Sequence, residues 1–136
     1  MSTALSIAAS GMAAASLRLE VSAGNVANAL TTGPLPTAAG SNAASYPKAY
    51  VPQRVDQVAL AGGGTAATVQ PVSPSSVPRY DPSAPNADPN GLVAAPNVDL
   101  ANEAVRQILA RYSFAANAAV ARAVEKLNKT LLDTTS

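Results

Sequence analysis

The chain has no cysteine, no histidine and no tryptophan, a single phenylalanine, and a net charge of only +1 over 136 residues. Without Cys or His there is no disulfide, no thiolate metal site, and no imidazole to serve as base or ligand. A hydrolytic triad therefore lacks its base, although Ser and Thr are plentiful. No Lys or Arg precedes Arg18, so the positive n-region of a secretory signal peptide is missing. Charges are dispersed, which argues against a basic nucleic-acid patch or an electrostatic membrane anchor. No uninterrupted run approaches the about 20 apolar residues of a membrane-spanning helix. Large hydrophobes are scarce as well: Ala supplies 31 of 65 apolar residues, and Leu, Ile, Val and Phe together only 28. Alanine buries little area, so a lone monomer of this composition has a thin hydrophobic term.

What the chain does have is a sharp partition. All 11 prolines lie between Pro34 and Pro96, and six of the eight glycines between Gly33 and Gly91. Proline inside a helix costs about 3 kcal/mol. The chain therefore divides into an N-terminal helical arm over 1–32, a Pro/Gly-rich middle over 33–96, and a C-terminal helical arm over 97–136. The expected fold is mainly α: two long terminal helices packing as a coiled-coil-like pair, with one short β-hairpin around 48–72. Gly62-Gly63-Gly64 is its turn, and 34–46 and 73–96 are expected as extended loops.

In the first arm Leu5, Met12, Leu19 and Val26 recur every seven residues, with Ala8, Ala15, Ser22 and Ala29 three later. Large residues at one seam position and small ones at the next let another helix approach closely. The second arm opens at PNVDL, where Asn97 or Asp99 caps the first turn. Its apolar stripe runs Val105, Leu109, Tyr112, Ala116, Val120, Ala123, Leu127, Leu131, a spacing of about 3.7 that predicts a nearly straight helix. A self-sufficient two-helix hairpin is the plain reading of these stripes. Completion by neighbouring subunits is favoured, because alanine-faced helices bury little on their own.

Chemistry-bearing patterns are few. Asn86, Asp88, Asn90 and Gly91 fit the start of a calcium loop, but its twelfth position is Asn97 rather than a bidentate Glu, so a turn is the simpler reading. Asp81, Asp88, Asp99 and Glu103 are assigned to capping and solvation. No catalytic, cofactor-binding or metal-ligating residue is assigned, no cofactor is expected, and an enzyme is a poor reading.

ALSIAASGMAAASLRLEVSAGNVANALTTG over 4–33 resembles the N-terminal signature of flagellar basal-body rod and hook proteins. RYDPSAPNADPNGLVAAPNVDL and YSFAANAAV extend the likeness, over nearly the whole chain, toward the proximal rod proteins. The resemblance implies a structural subunit of the bacterial flagellar rod, exported through the flagellar type III apparatus and stacked into a periplasm-spanning helical tube that transmits motor torque. It implies as partners copies of itself and other rod proteins, with no nucleic acid, small-molecule substrate or membrane insertion. The subunit-interface candidates are Leu5, Met12, Leu19, Asn25, Val26 and Asn28 in the first arm. In the second they are Val105, Leu109, Tyr112, Ala116, Asn117, Val120, Leu127 and Leu131. Asn25 and Asn28 are expected to hydrogen-bond an adjoining subunit and fix register, and Gly33 to supply a left-handed helix stop before Pro34. The alternative is a secreted helical-hairpin protein of another export system, though such proteins usually carry a W-x-G turn that this chain lacks.

Overall fold

The proline-free flanks form two helices, α1 (Thr3–Asn28) and α2 (Leu100–Thr134), in a computed structural model that describes residues 3–35 and 46–134. Most of the loop expected over 34–46 thus lies outside the described residues. Asp99 starts α2: its Oδ1 accepts the N–H groups of Ala101 (2.9 Å) and Asn102 (3.1 Å), and its Oδ2 accepts the Asn102 side-chain amide (2.7 Å). Asp99→Ala should lower the urea midpoint of the purified chain by the equivalent of about 1 kcal/mol, the usual value of an N-cap; an unchanged midpoint would show that another group takes over.

The helices run antiparallel, with Ser22 opposite Glu103 and Gly11 opposite Asn117. Their meeting line is made of small and polar groups. Ala8, Ala15, Ser22 and Asn25 of α1 and Glu103 and Ala110 of α2 are buried. A Cβ on Gly11 would lie 2.5 Å from the Asn117 side chain, so glycine is what admits that amide. The large heptad residues are not at the centre of this seam: Leu5, Met12 and Leu19 are half-buried along its flank and Val26 is exposed. At 1.5 Å per residue α1 spans about 39 Å and α2 about 52 Å. In this register the last two turns of α2 extend past the start of α1.

A mainly α fold with one hairpin is not what forms: two helices are joined by four antiparallel strands in two separate two-stranded sheets. The expected hairpin is β1 (Gln53–Ala59) and β2 (Thr65–Pro71), paired Gln53 to Pro71 through Ala59 to Thr65. Its turn uses Gly63 (φ 85°) and Gly64 (φ 88°), a conformation costly for any residue with a Cβ. The tip rests on α1, where the Ser10 hydroxyl accepts the Thr65 N–H (3.2 Å). The second sheet, β3 (Ser76–Tyr80) with β4 (Leu92–Pro96), occupies the expected loop 73–96.

Proline hides that second sheet from a sequence reading. Ala94 exchanges both backbone hydrogen bonds with Gly33 on its far side (3.0 and 2.8 Å). The pair Pro78–Ala94 is therefore a non-hydrogen-bonded one, as is Ser76–Pro96 two residues on, and neither proline is asked for an N–H. Gly33 itself does not take a left-handed conformation. It is glycine because a Cβ there would collide with the backbone of Lys48 and Ala49.

Prolines Pro52 and Pro96 apart, the apolar residues buried among the described ones are Ala8, Ala14, Ala15, Val93, Ala94, Ala95 and Ala110. All but one are alanine, which confirms how little grease the monomer hides. One sequence-based exclusion needs correcting: α1, at 26 residues with a mean hydropathy of 1.2 in its most apolar window, is long and apolar enough by composition to cross a membrane.

Candidate assembly interface

Where α1 ends, α2 begins and β1 starts, a buried polar knot replaces a hydrophobic core. Asn25, 1% exposed, uses its whole amide there. Its Nδ2 donates to the Gln53 carbonyl (2.7 Å) and to Glu103 Oε1 (3.1 Å). Its Oδ1 accepts the Gln53 N–H (2.9 Å) and the Tyr50 hydroxyl (3.2 Å). Donating to and accepting from one backbone residue, the side chain mimics a neighbouring strand and closes the edge of β1 at Gln53. Ser22 Oγ donates to the Glu103 carbonyl (3.1 Å), and Arg106 Nη1 reaches Glu103 Oε1 (2.9 Å). Glu103 is 4% exposed, so it belongs to this knot rather than to solvent; its Oε2 is buried without a partner among the described residues.

The register-fixing role expected of Asn25 toward an adjoining subunit thus finds its hydrogen bonds inside the chain. Asn28 bonds back to the Gly24 carbonyl (2.9 Å), and Asn117 to that of Ser113 (2.8 Å) while packing on Gly11. Sequence reasoning assigned Glu103 to capping and solvation rather than to a contact, and did not single out Tyr50, Gln53 or Arg106; for Glu103 a signal existed. The available signal was its heptad spacing with Ala110, Asn117 and Val124, the line that faces α1.

The apolar stripe of α2 is left exposed. Val105, Leu109, Tyr112, Val120, Leu127 and Leu131 are all between 49% and 71% exposed, and Ala116 is exposed too. At about 100° per residue Val105 and Tyr112 sit roughly opposite the Glu103–Ala110–Asn117 line and Leu109 and Ala116 about a quarter turn from it, whereas Val120 and Leu127 lie nearer to it and Leu131 falls on its continuation, in the turns beyond the start of α1. Exposed apolar bands of this kind are a general mark of interaction surfaces. On one flank of the helix pair, Leu19, Ala110 and Phe114 also line a shallow groove of about 330 Å³.

The NADPNG segment is a turn held by its own backbone. Asp88 Oδ1 accepts the N–H groups of Asn90 and Leu92 (2.8 Å each), and Gly91 has φ 76°. Among the described residues no group of three or more acidic, His or Cys side chains converges on a point.

Residues 5–34 match the family model of flagella basal body rod proteins. The chain is 35% identical over 124 residues to the flagellar basal-body rod protein FlgC of Salmonella typhimurium, covering 89% of this chain and 87% of the relative. It is 32% identical to that of Escherichia coli O157:H7 over the same shares. To that of Agrobacterium fabrum it is 31% identical over 133 residues, covering 98% of this chain and 94% of the relative.

Proposed function

The chain belongs to the family of flagellar basal-body rod proteins FlgC, and from that membership we propose how its surfaces build the rod. It is a structural subunit of the basal-body rod and assembles with other rod components. The observation that carries the finer reading is the division of the helix pair into two faces. A small-residue seam joins α1 to α2, and the large apolar stripe of α2 is left outward. Val105, Leu109, Tyr112, Ala116, Val120, Leu127 and Leu131 are contacts to neighbouring subunits. Leu5, Met12, Leu19 and Val26 join them along the α1 flank, and Asn28 and Asn117 lie at their margins. Packed side by side, such helices form the wall of a periplasm-spanning tube that transmits motor torque. The arms 1–32 and 97–136 form that wall and the middle 33–96 an outer body. The chain reaches its place through the flagellar type III export apparatus, acts on no small-molecule substrate and catalyses no reaction. It binds no nucleic acid and does not insert into membrane: Arg18, Glu20, Ser22 and Asn25 sit on α1, and the last two are hydrogen-bonded to Glu103.

The test is Leu109→Asp combined with Leu127→Asp. Both side chains are exposed, so the unfolding midpoint of the purified variant should stay within about 0.5 kcal/mol of the parent, as for surface substitutions generally. Basal bodies isolated from cells carrying it should lack rods, and the cells should not swim. Normal rods would mean that the stripe faces solvent in the assembly too.

A further inference from the structure

Beside the polar knot a groove of about 220 Å³ opens between α1, α2 and the outer edge of β1, lined among others by Arg18, Arg54, Val55, Asp56, Glu103 and Arg106. Three features of it lack a counterpart among the described residues. First, Glu103 is almost wholly buried and its Oε2 has no donor. A carboxylate oxygen shut away unpaired is costly enough that a partner is expected.

Second, β1 has a free edge here. Val72 donates to the Pro52 carbonyl and Leu60 to that of Gly64. With the Gln53–Pro71 to Ala59–Thr65 register, this puts residues 53, 55, 57 and 59 with their N–H and C=O groups facing away from β2. Asn25 closes that edge at Gln53. At Val55, on the groove, nothing among the described residues does.

Third, the charges do not balance. Arg54 pairs with Asp56 (3.2 Å) and Arg106 with Glu103 (2.9 Å), which leaves Arg18 without an ion pair among the described residues.

An occupant that answers all three is an extended polypeptide. Its N–H and C=O groups continue the β1 ladder, a further N–H meets Glu103 Oε2, and an acidic side chain meets Arg18. Resting on the assignment of this chain to the rod, we propose that the groove receives an extended, acid-bearing segment of a neighbouring rod subunit, added as a strand to β1 at Val55 with its carboxylate on Arg18.

Two full-length variants test it in cells lacking the native copy. Val55→Pro removes only the outward N–H, because the Val55–Val69 pair makes no ladder bond to β2 and edge strands tolerate proline. Arg18→Glu reverses the unpaired charge. Each should leave the far-UV circular dichroism of the purified chain unchanged yet reduce its amount per isolated basal body about tenfold, the equivalent of one lost hydrogen bond or ion pair at the contact. A cryo-EM map of the parent rod should show a second backbone alongside Val55. Should Val55→Pro unfold the chain, Arg18→Glu and the map decide. Parental incorporation of both variants, or a groove empty in the assembled rod, overturns the proposal while leaving the rod assignment intact. Absence of the parent chain from basal bodies would instead overturn the rod assignment, and this proposal with it.

Discussion

Asn25→Ala is expected to be the most damaging single truncation in the α1–α2 seam. It strips the partner from the Gln53 N–H, the Gln53 carbonyl and the Tyr50 hydroxyl, and leaves Glu103 Oε1 to Arg106 alone. Each orphaned buried group costs about 1–3 kcal/mol. Water entering the space left by the amide recovers part of this, so the net loss should be about 3 kcal/mol, within the range set by broken buried networks. For a chain of this length that corresponds to a fall in melting midpoint of roughly 10 °C, measurable by circular dichroism. Asn25→Asp separates this account from one based on volume. It keeps the shape but replaces the donor with a second carboxylate oxygen facing Glu103 and the Gln53 carbonyl. It should therefore be at least as destabilising as the alanine variant at neutral pH. Stability near the parent for either variant would show that the knot contributes little.

Gly33→Ala acts close to the knot, beside the segment that leads into Tyr50, but through backbone rather than side chains. The added methyl would run into the backbone of Lys48 and Ala49, which has no rotamer with which to yield. Relief requires either Gly33 or the 48–49 segment to move, and Gly33 is tied to Ala94 by two hydrogen bonds. Overpacking of this kind costs about 1–3 kcal/mol. The expected signature is local: the amides of Gly33 and Ala94 should lose hydrogen-exchange protection while those in the middle of α2 keep theirs. Unchanged protection at Ala94 would mean that the segments tolerate a wider spacing.

The helices, the hairpin at Gly62–Gly64 and the outward stripe of α2 are legible in the sequence because each has a local cause. Proline is excluded from the arms, glycine marks the turn, and the stripe carries its own periodicity. The inward seam is harder to see. Ala8, Gly11, Ala15 and Ser22 give almost no hydrophobic contrast, so the large residues Leu5, Met12 and Leu19 stand out in a pattern search although they only flank the contact. Asn25 and Glu103 are separated by 78 positions, and the third participant, Gln53, contributes only its backbone. No spacing rule connects such groups. The second sheet is missed for a different reason. Pro78 and Pro96 count against a strand in any propensity argument, yet both occupy ladder positions where no N–H is required.

The unequal lengths of α1 and α2 carry a mechanical consequence. A shaft assembled from blocks with flush ends would concentrate its weakness in flat planes between layers, and twisting would shear those planes. Here the C-terminal turns of α2 run on beyond the start of α1, carrying Leu127 and Leu131 exposed; in a rod built as proposed above, each block is expected to lap the joint of the next as bricks do in a bonded wall. Rotation would then be passed along overlapping sides, and no single cross-section of the shaft would have to bear it alone.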